Sequence, residues 1–311
     1  MNDTDRALID WLLDSDPSIR WQVLRDLADA PADEVAAERG RIAREGWGAR
    51  ILASQGSDGR WGGGTFFPRG IGTFDTLHLL YVLGLDPTSA EARRAIAPVH
   101  EAARWDYDPS LRFWEGEVEP CINGRVVAIG TYFGQDVRGI VERLLTEQMA
   151  DGGWNCEQEN GSTRGSFDTT INVLEGLLEY ERGSGATGEV RSARERGEAY
   201  LLERRLLHRL SDGTIPQPRW LEAGFPYSWN YDVVRVLDYF RMATPGPDER
   251  MGEALEIVES KRDAAGRWPL DATYHDRLQV DLGESIGRPS RWITLRGLRI
   301  LRWAGRPYAG T

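Results

Sequence analysis

Two kinds of helical pattern alternate along the chain. In one, apolar residues form a single stripe and charges fill the other faces, as in residues 190–206 (VRSARERGEAYLLERRL) and 249–261 (ERMGEALEIVESK). A helix lying on a protein surface has this pattern. In the other, apolar residues cover most of the circumference: residues 18–28, 74–85 (FDTLHLLYVLGL), 122–133 (INGRVVAIGTYF), 167–180, 231–241 (YDVVRVLDYFR) and 291–303. Such a helix must be covered on all sides. Period-2 runs that would signal strands are scarce. Six inner helices alternating with about six outer ones predict an all-α fold, an (α/α)6 toroid in which helical hairpins close into a ring, with residues 1–311 forming one domain.

The turns between helices repeat. QGSDGRWGGGTFFPRGIGTFDTLHLLYVLGL from Gln55 and QMADGGWNCEQENGSTRGSFDTTINVLEGL from Gln148 each place an aspartate, Asp75 or Asp168, 14 residues after a tryptophan, Trp61 or Trp154. A weaker copy, KRDAAGRWPLD, begins at Lys261, and HRLSDGTIPQPRW from His208 is a fourth candidate. In a toroid, every inner helix begins on the same face. Six distant segments would then meet at one cavity: Arg20 and Trp21, Asp75 and Thr76, Cys121 to Arg125, Asp168 and Thr169, Trp229 to Asp232, and Arg291 to Thr294.

Composition narrows the class. The chain has 311 residues, 41% of them hydrophobic, enough for a sizeable core. Its net charge is −11, with basic residues scattered among acids, which argues against a nucleic-acid partner. The only lysine, Lys261, sits in a charged segment, so Schiff-base chemistry and a P-loop are poorly supported. No apolar run approaches the roughly 20 residues of a transmembrane helix, and the start MNDTDRALID does not resemble a signal peptide. With two cysteines in this length, a cytoplasmic location is expected. No oligomeric state is implied.

The Gln-x-x-Asp-Gly-x-Trp runs, Gln55 to Trp61 and Gln148 to Trp154, resemble the QW repeats of squalene cyclases and related terpenoid cyclases, whose fold protein prenyltransferase β subunits share. The resemblance implies a single-toroid relative in which Gln55, Trp61, Gln148, Trp154 and Trp268 tie outer helices together. The family's acidic runs, Asp-x-Asp-Asp and Asp-Asp-x-x-Asp, do not occur in this sequence.

Three chemistries fit the predicted cavity. As the leading reading, an enzyme of isomerase, cyclase or lyase type would act on a small hydrophobic or isoprenoid-like substrate by acid-initiated chemistry. Glu119, from the cluster Glu115, Glu117 and Glu119, would be its acid beside Asp168 and Asp232, since burial against an aromatic raises a carboxyl pKa. Trp21, Trp114, Asn123, Trp229, Tyr231 and Trp292 would form the wall, with aromatic faces positioned to stabilise cations. Alternatively, zinc held by Cys121, Cys156, Asp168 and His275 would give a hydrolase or lyase, these being zinc-ligand types. The third reading is a non-catalytic toroid that binds a ligand or partner protein.

Overall fold

A computed structural model describes residues 3–184 and 187–307. They form thirteen α-helices and one short β-hairpin. The helices are α1 (Asp3–Leu13), α2 (Pro17–Asp26), α3 (Ala32–Gly40), α4 (Gly46–Ala53), α5 (Thr73–Leu83), α6 (Ala90–Ala102), α7 (Pro120–Tyr132), α8 (Arg138–Thr146), α9 (Phe167–Ser184), α10 (Gly188–Glu203), α11 (Val233–Ala243), α12 (Gly252–Ser260) and α13 (Arg291–Trp303). The hairpin pairs β1 (Arg104–Trp105) with β2 (Asp108–Arg112) between α6 and α7, where the sequence pattern gave no strand. The six segments read as buried are α2, α5, α7, α9, α11 and α13.

The repeat works through one bonding pattern used three times. Trp61 Nε1–H donates to Ile51 O at 2.8 Å, Trp154 Nε1–H to Leu144 O at 2.7 Å, and Trp268 Nε1–H to Val258 O at 2.6 Å. Each acceptor lies ten residues earlier, near the end of the preceding outer helix. The three backbone N–H groups then donate to threonine hydroxyls at the starts of α5, α9 and α13: Thr73, Thr170 and Thr294. A fully buried indole with its N–H satisfied thus staples outer helix to inner helix. In two copies a glutamine adds a second tie. Gln55 Nε2 reaches Gly59 O and Ala95 O, and Gln148 Nε2 reaches Gly152 O and Ala193 O.

These threonines also change how the repeat is read. Asp75 lies two residues after its anchor Thr73, whereas Asp168 lies two residues before Thr170. The equal 14-residue spacing therefore hides an offset of about one helical turn, and the two aspartates occupy different places.

The six buried helices contact one another pairwise. Trp21 Nε1–H on α2 donates to Leu83 O of α5 at 3.0 Å. Gly84, which ends α5 in the left-handed conformation, leaves room for that indole, because a Cβ there would lie 2.2 Å from the ring. Arg125 of α7 pairs with Asp75 of α5, both buried, at 3.3 Å. The α7 and α9 backbones meet at Gly124 and Gly176, where a Cβ would come within 2.4 Å of the Asn172 carbonyl oxygen and 2.3 Å of the Gly124 carbonyl oxygen respectively. Arg235 of α11 pairs with Glu175 of α9 at 2.6 Å, Arg296 of α13 with Asp238 of α11 at 3.2 Å, and Arg299 of α13 with Asp26 of α2 at 2.5 Å. One cluster of buried apolar side chains extends from Leu8 to Leu301.

Candidate functional site

All six inner helices contribute to one hollow of about 430 Å³, within the range of small-molecule sites. It opens where the helices end. Asp26 closes α2, Gly84 caps α5, Tyr132 ends α7, and Arg182 and Met242 lie in the last turns of α9 and α11. Phe225 and Trp292, stacked at 4.6 Å with an 18° interplanar angle, line it together with Tyr227. The Tyr227 ring carries the guanidiniums of Arg235 and Arg296 at 4.6 and 4.8 Å, and the buried His78 meets it edge-on at 5.2 Å. The hollow meets α2, α5, α7, α9 and α11 toward their carbonyl ends and α13 from its first turn, at Trp292; Asp168, at the start of α9, borders a separate groove.

The hollow's wall is charged as well as aromatic. It includes Arg25, Arg39, Arg182, Arg241, Arg296 and Arg299, against Asp26, Glu179 and Asp238. The three acids have different surroundings. Burial opposes ionisation of Asp238, but Arg241, Arg296 and Arg299 outweigh it and hold the carboxyl far below its ordinary value. Asp26 is likewise held low, with Arg299 and Arg25 overcoming its burial. Glu179 is different. Burial raises its pKa, opposed only by a hydrogen bond from Tyr81 Oη at 3.2 Å and by the charge of Arg182. A wall with two carboxylates kept ionised and one acid pushed toward the neutral form can separate charge binding from proton transfer.

Of the wall residues expected from sequence, Trp21 and Trp292 line the hollow. The others do different work. Trp114 is buried beside another depression formed with Arg112, Glu115 and Arg138. Asn123 clamps a loop, accepting from Glu117 N–H at 2.8 Å and donating to Glu117 O at 2.7 Å. Trp229 is 42% exposed, with Arg219 over its ring. Tyr231 is fully buried and donates its hydroxyl to Leu206 O.

The three acids expected from sequence lie apart from this hollow. Glu119 precedes α7 on the surface, and the buried member of its cluster is Glu117, raised by burial while Tyr107 Oη and Glu119 N–H donate to it. Asp168 accepts from Tyr231 N–H at 2.7 Å and pairs with Arg219 at 3.1 Å beside a separate groove of about 690 Å³. Asp232 is fully buried as the N-cap of α11, with Oδ1 accepting from Arg235 N–H while Oδ2 has no partner. Burial brings its pKa to about 6.

The two cysteines do meet, with Sγ atoms 2.9 Å apart. Among the described residues, Glu119, Cys121 and Cys156 form a set whose ligand atoms lie within 4.8 Å of one another. Asp168 and His275 do not complete it. Asp168 is engaged by Arg219, and His275 Nε2 lies 4.0 Å from Asp75. Nor does the set fit zinc. Two Zn–S bonds of about 2.3 Å at a tetrahedral angle need sulfurs about 3.7 Å apart. The neighbouring Cys156 sulfur, burial and Glu119 also push the Cys121 thiol upward, away from the thiolate that a metal requires.

Sequence reasoning passed over Glu179, Asp238, Arg296 and Arg299. Their signal was present as charges inside helices read as apolar: Arg296 and Arg299 one turn apart in RWITLRGLRIL, and Asp238 within VVRVLDYF. A charge on a helix covered on all sides must find a partner or a cavity.

No family model matches the chain, and no curated protein matches it. Among solved structures, a crystal structure of a protein from Actinoplanes is similar, at 18% identity over 97% of this chain and 98% of that one, with a TM-score of 0.49. That likeness is too distant to bear on function. No helix among the described residues is long and apolar enough to cross a membrane.

Proposed function

We propose that the chain is a single α/α toroid related to the squalene cyclase and prenyltransferase fold, and that it is an enzyme of isomerase or lyase type acting by acid–base chemistry in its central hollow. The unbroken series of inner-helix contacts, from α2 through α13 and back to α2, supports the ring. The observation that carries the activity is the contrast among the three cavity acids. Glu179, unlike Asp26 and Asp238, has no guanidinium hydrogen-bonded to it, and burial favours its protonated form.

In this reading Glu179 gives a proton to the substrate, or takes one from it. Tyr81 Oη holds the carboxyl in place and stabilises its ionised form once the proton has left. Trp21, Tyr132, Tyr227 and Trp292 supply aromatic surface for an apolar body and for positive charge developing on it. The acid-initiated chemistry of the leading sequence reading is kept, with Glu179 as its acid in place of Glu119, Asp168 or Asp232. A wall with six arginines suits a small substrate that is partly polar better than a bare hydrocarbon.

The test is turnover in deuterated water of a panel of isoprenoid and small organic-acid substrates, read by mass spectrometry for new products or deuterium uptake. A substrate turned over by the native chain should lose at least about 100-fold in rate with Glu179→Gln, the usual scale for a general acid or base. An unchanged rate in a folded Glu179→Gln protein contradicts the proposal.

A further inference from the structure

In the hollow just described, the arginines outnumber the acids six to three, in a chain whose net charge is −11. The excess is not used up inside the protein. Arg296 is 5% exposed and makes one hydrogen bond, from Nε to Asp238 Oδ2 at 3.2 Å, and its Nη1 is buried without a partner. One turn along α13, Arg299 donates through Nη2 to Gln22 Oε1 and pairs with Asp26, while its Nε is buried without a partner. Arg39 bonds only neutral acceptors, Gly84 O and Tyr132 Oη, both at 2.9 Å. Buried donors of this kind are costly unless something else satisfies them.

We infer that the hollow binds a small carboxylic acid, with its carboxylate held by the combined positive charge of Arg39, Arg296 and Arg299. The inference rests on reading this hollow as the substrate site. Arginine keeps its charge at any ordinary pH, so a cluster of guanidiniums in excess over acids attracts a carboxylate. Charge and position favour one negative charge over a concentrated dianion. The hollow lies at the carbonyl ends of α2, α5, α7 and α11, where the helix dipoles are negative, and Asp26 and Asp238 already occupy part of the arginine cluster. Burial and the nearby Arg241 press on the Arg299 cation, lowering its pKa to about 10, so that an added anion relieves repulsion among the guanidiniums. The aromatic wall would receive the apolar remainder of the acid.

The probes are benzoate, its neutral isostere benzamide, and phenyl phosphate, titrated by calorimetry into the full chain at low salt. Benzoate should bind saturably and at least about tenfold more tightly than benzamide, which is about 1.4 kcal/mol. Arg296→Met should remove that preference. Arg39→Gln, which gives up two hydrogen bonds to neutral acceptors, should weaken benzoate by a smaller factor and serves if Arg296→Met does not fold. Absence of saturable benzoate binding overturns the inference, as does benzamide binding equally well. So does a benzoate affinity unchanged by every folded arginine variant, or phenyl phosphate binding more than about tenfold tighter than benzoate. Benzoate binding as expected, combined with a substrate turned over equally by native chain and Glu179→Gln, overturns only the acid–base reading.

Discussion

Tyr81 Oη donates to Glu179 Oε2 at 3.2 Å, linking α5 to α9 past the intervening α7. The bond favours the carboxylate, while burial favours the neutral acid, and burial wins. Tyr81→Phe removes the opposing influence. The pKa of Glu179 should therefore rise further, and a pH–rate profile that depends on protonated Glu179 should move its alkaline limb to higher pH. Unmoved limbs in Tyr81→Phe would show that the pair is not coupled to turnover.

Asp238 is the shared counterion of Arg241 and Arg296. Its folded pKa is depressed, so its contribution to stability is present above the ordinary carboxyl range and is lost as pH falls through the folded value. Asp238→Asn leaves the buried Arg296 and the partly buried Arg241 short of charge. It should cost about 3–5 kcal/mol at pH 7 by urea denaturation, the scale for breaking a buried pair from one side. A loss below about 1 kcal/mol would mean that water or Asp26 compensates fully.

Asp232 has the opposite sign. Its folded pKa, about 6, stands above the unfolded value, so the folded state binds the extra proton and stability falls as pH rises from about 4 to 6. Asparagine also caps helices, so Asp232→Asn should keep the α11 N-cap while removing this penalty. Relative to the native chain, the variant should gain roughly 1–3 kcal/mol between pH 4 and pH 8. A flat difference across that window would contradict the assignment.

The repeat makes a stability prediction of its own. Trp154→Ala removes a fully buried indole and its bond to Leu144 O, for a cost of about 3–5 kcal/mol. Gln148→Ala, which strands two carbonyls, should cost roughly 1–3 kcal/mol. Thermal unfolding of the two variants should rank them in that order.

Cys121 should behave as a protonated thiol. Purified protein is expected to carry less than about a tenth of an equivalent of zinc, and Cys121 should alkylate more slowly than a free peptide thiol at pH 7 because its pKa is raised. Stoichiometric zinc in elemental analysis would contradict this.

The helices and the tryptophan staples were legible in the sequence because both depend on local periodicity and on a turn that recurs. The direction of the cavity was not. Its place depends on which helices approach closely, as at Gly124 against Asn172 and Trp21 over Gly84, and no local pattern encodes those approaches. The site residues were missed for a related reason. Arg296, Arg299, Asp238 and Glu179 sit inside helices whose average character is apolar, so a reading that looked for chemistry at helix starts selected Asp168 and Asp232, which hold loops and caps in place. Cys121 and Cys156 were read as neighbours because Cys121 lies in the first turn of α7 and Cys156 in the loop that enters the adjacent α9, and their sulfurs do meet.

The most direct test of the account is the titration of the Glu179 carboxyl itself, followed by carbon-13 NMR of the labelled glutamates and assigned by the signal that disappears in Glu179→Gln. A midpoint above the ordinary glutamate value of 4.5 is predicted, moving higher in Tyr81→Phe. A midpoint at or below 4.5 would contradict the assignment of Glu179 as the proton-transfer group of the cavity.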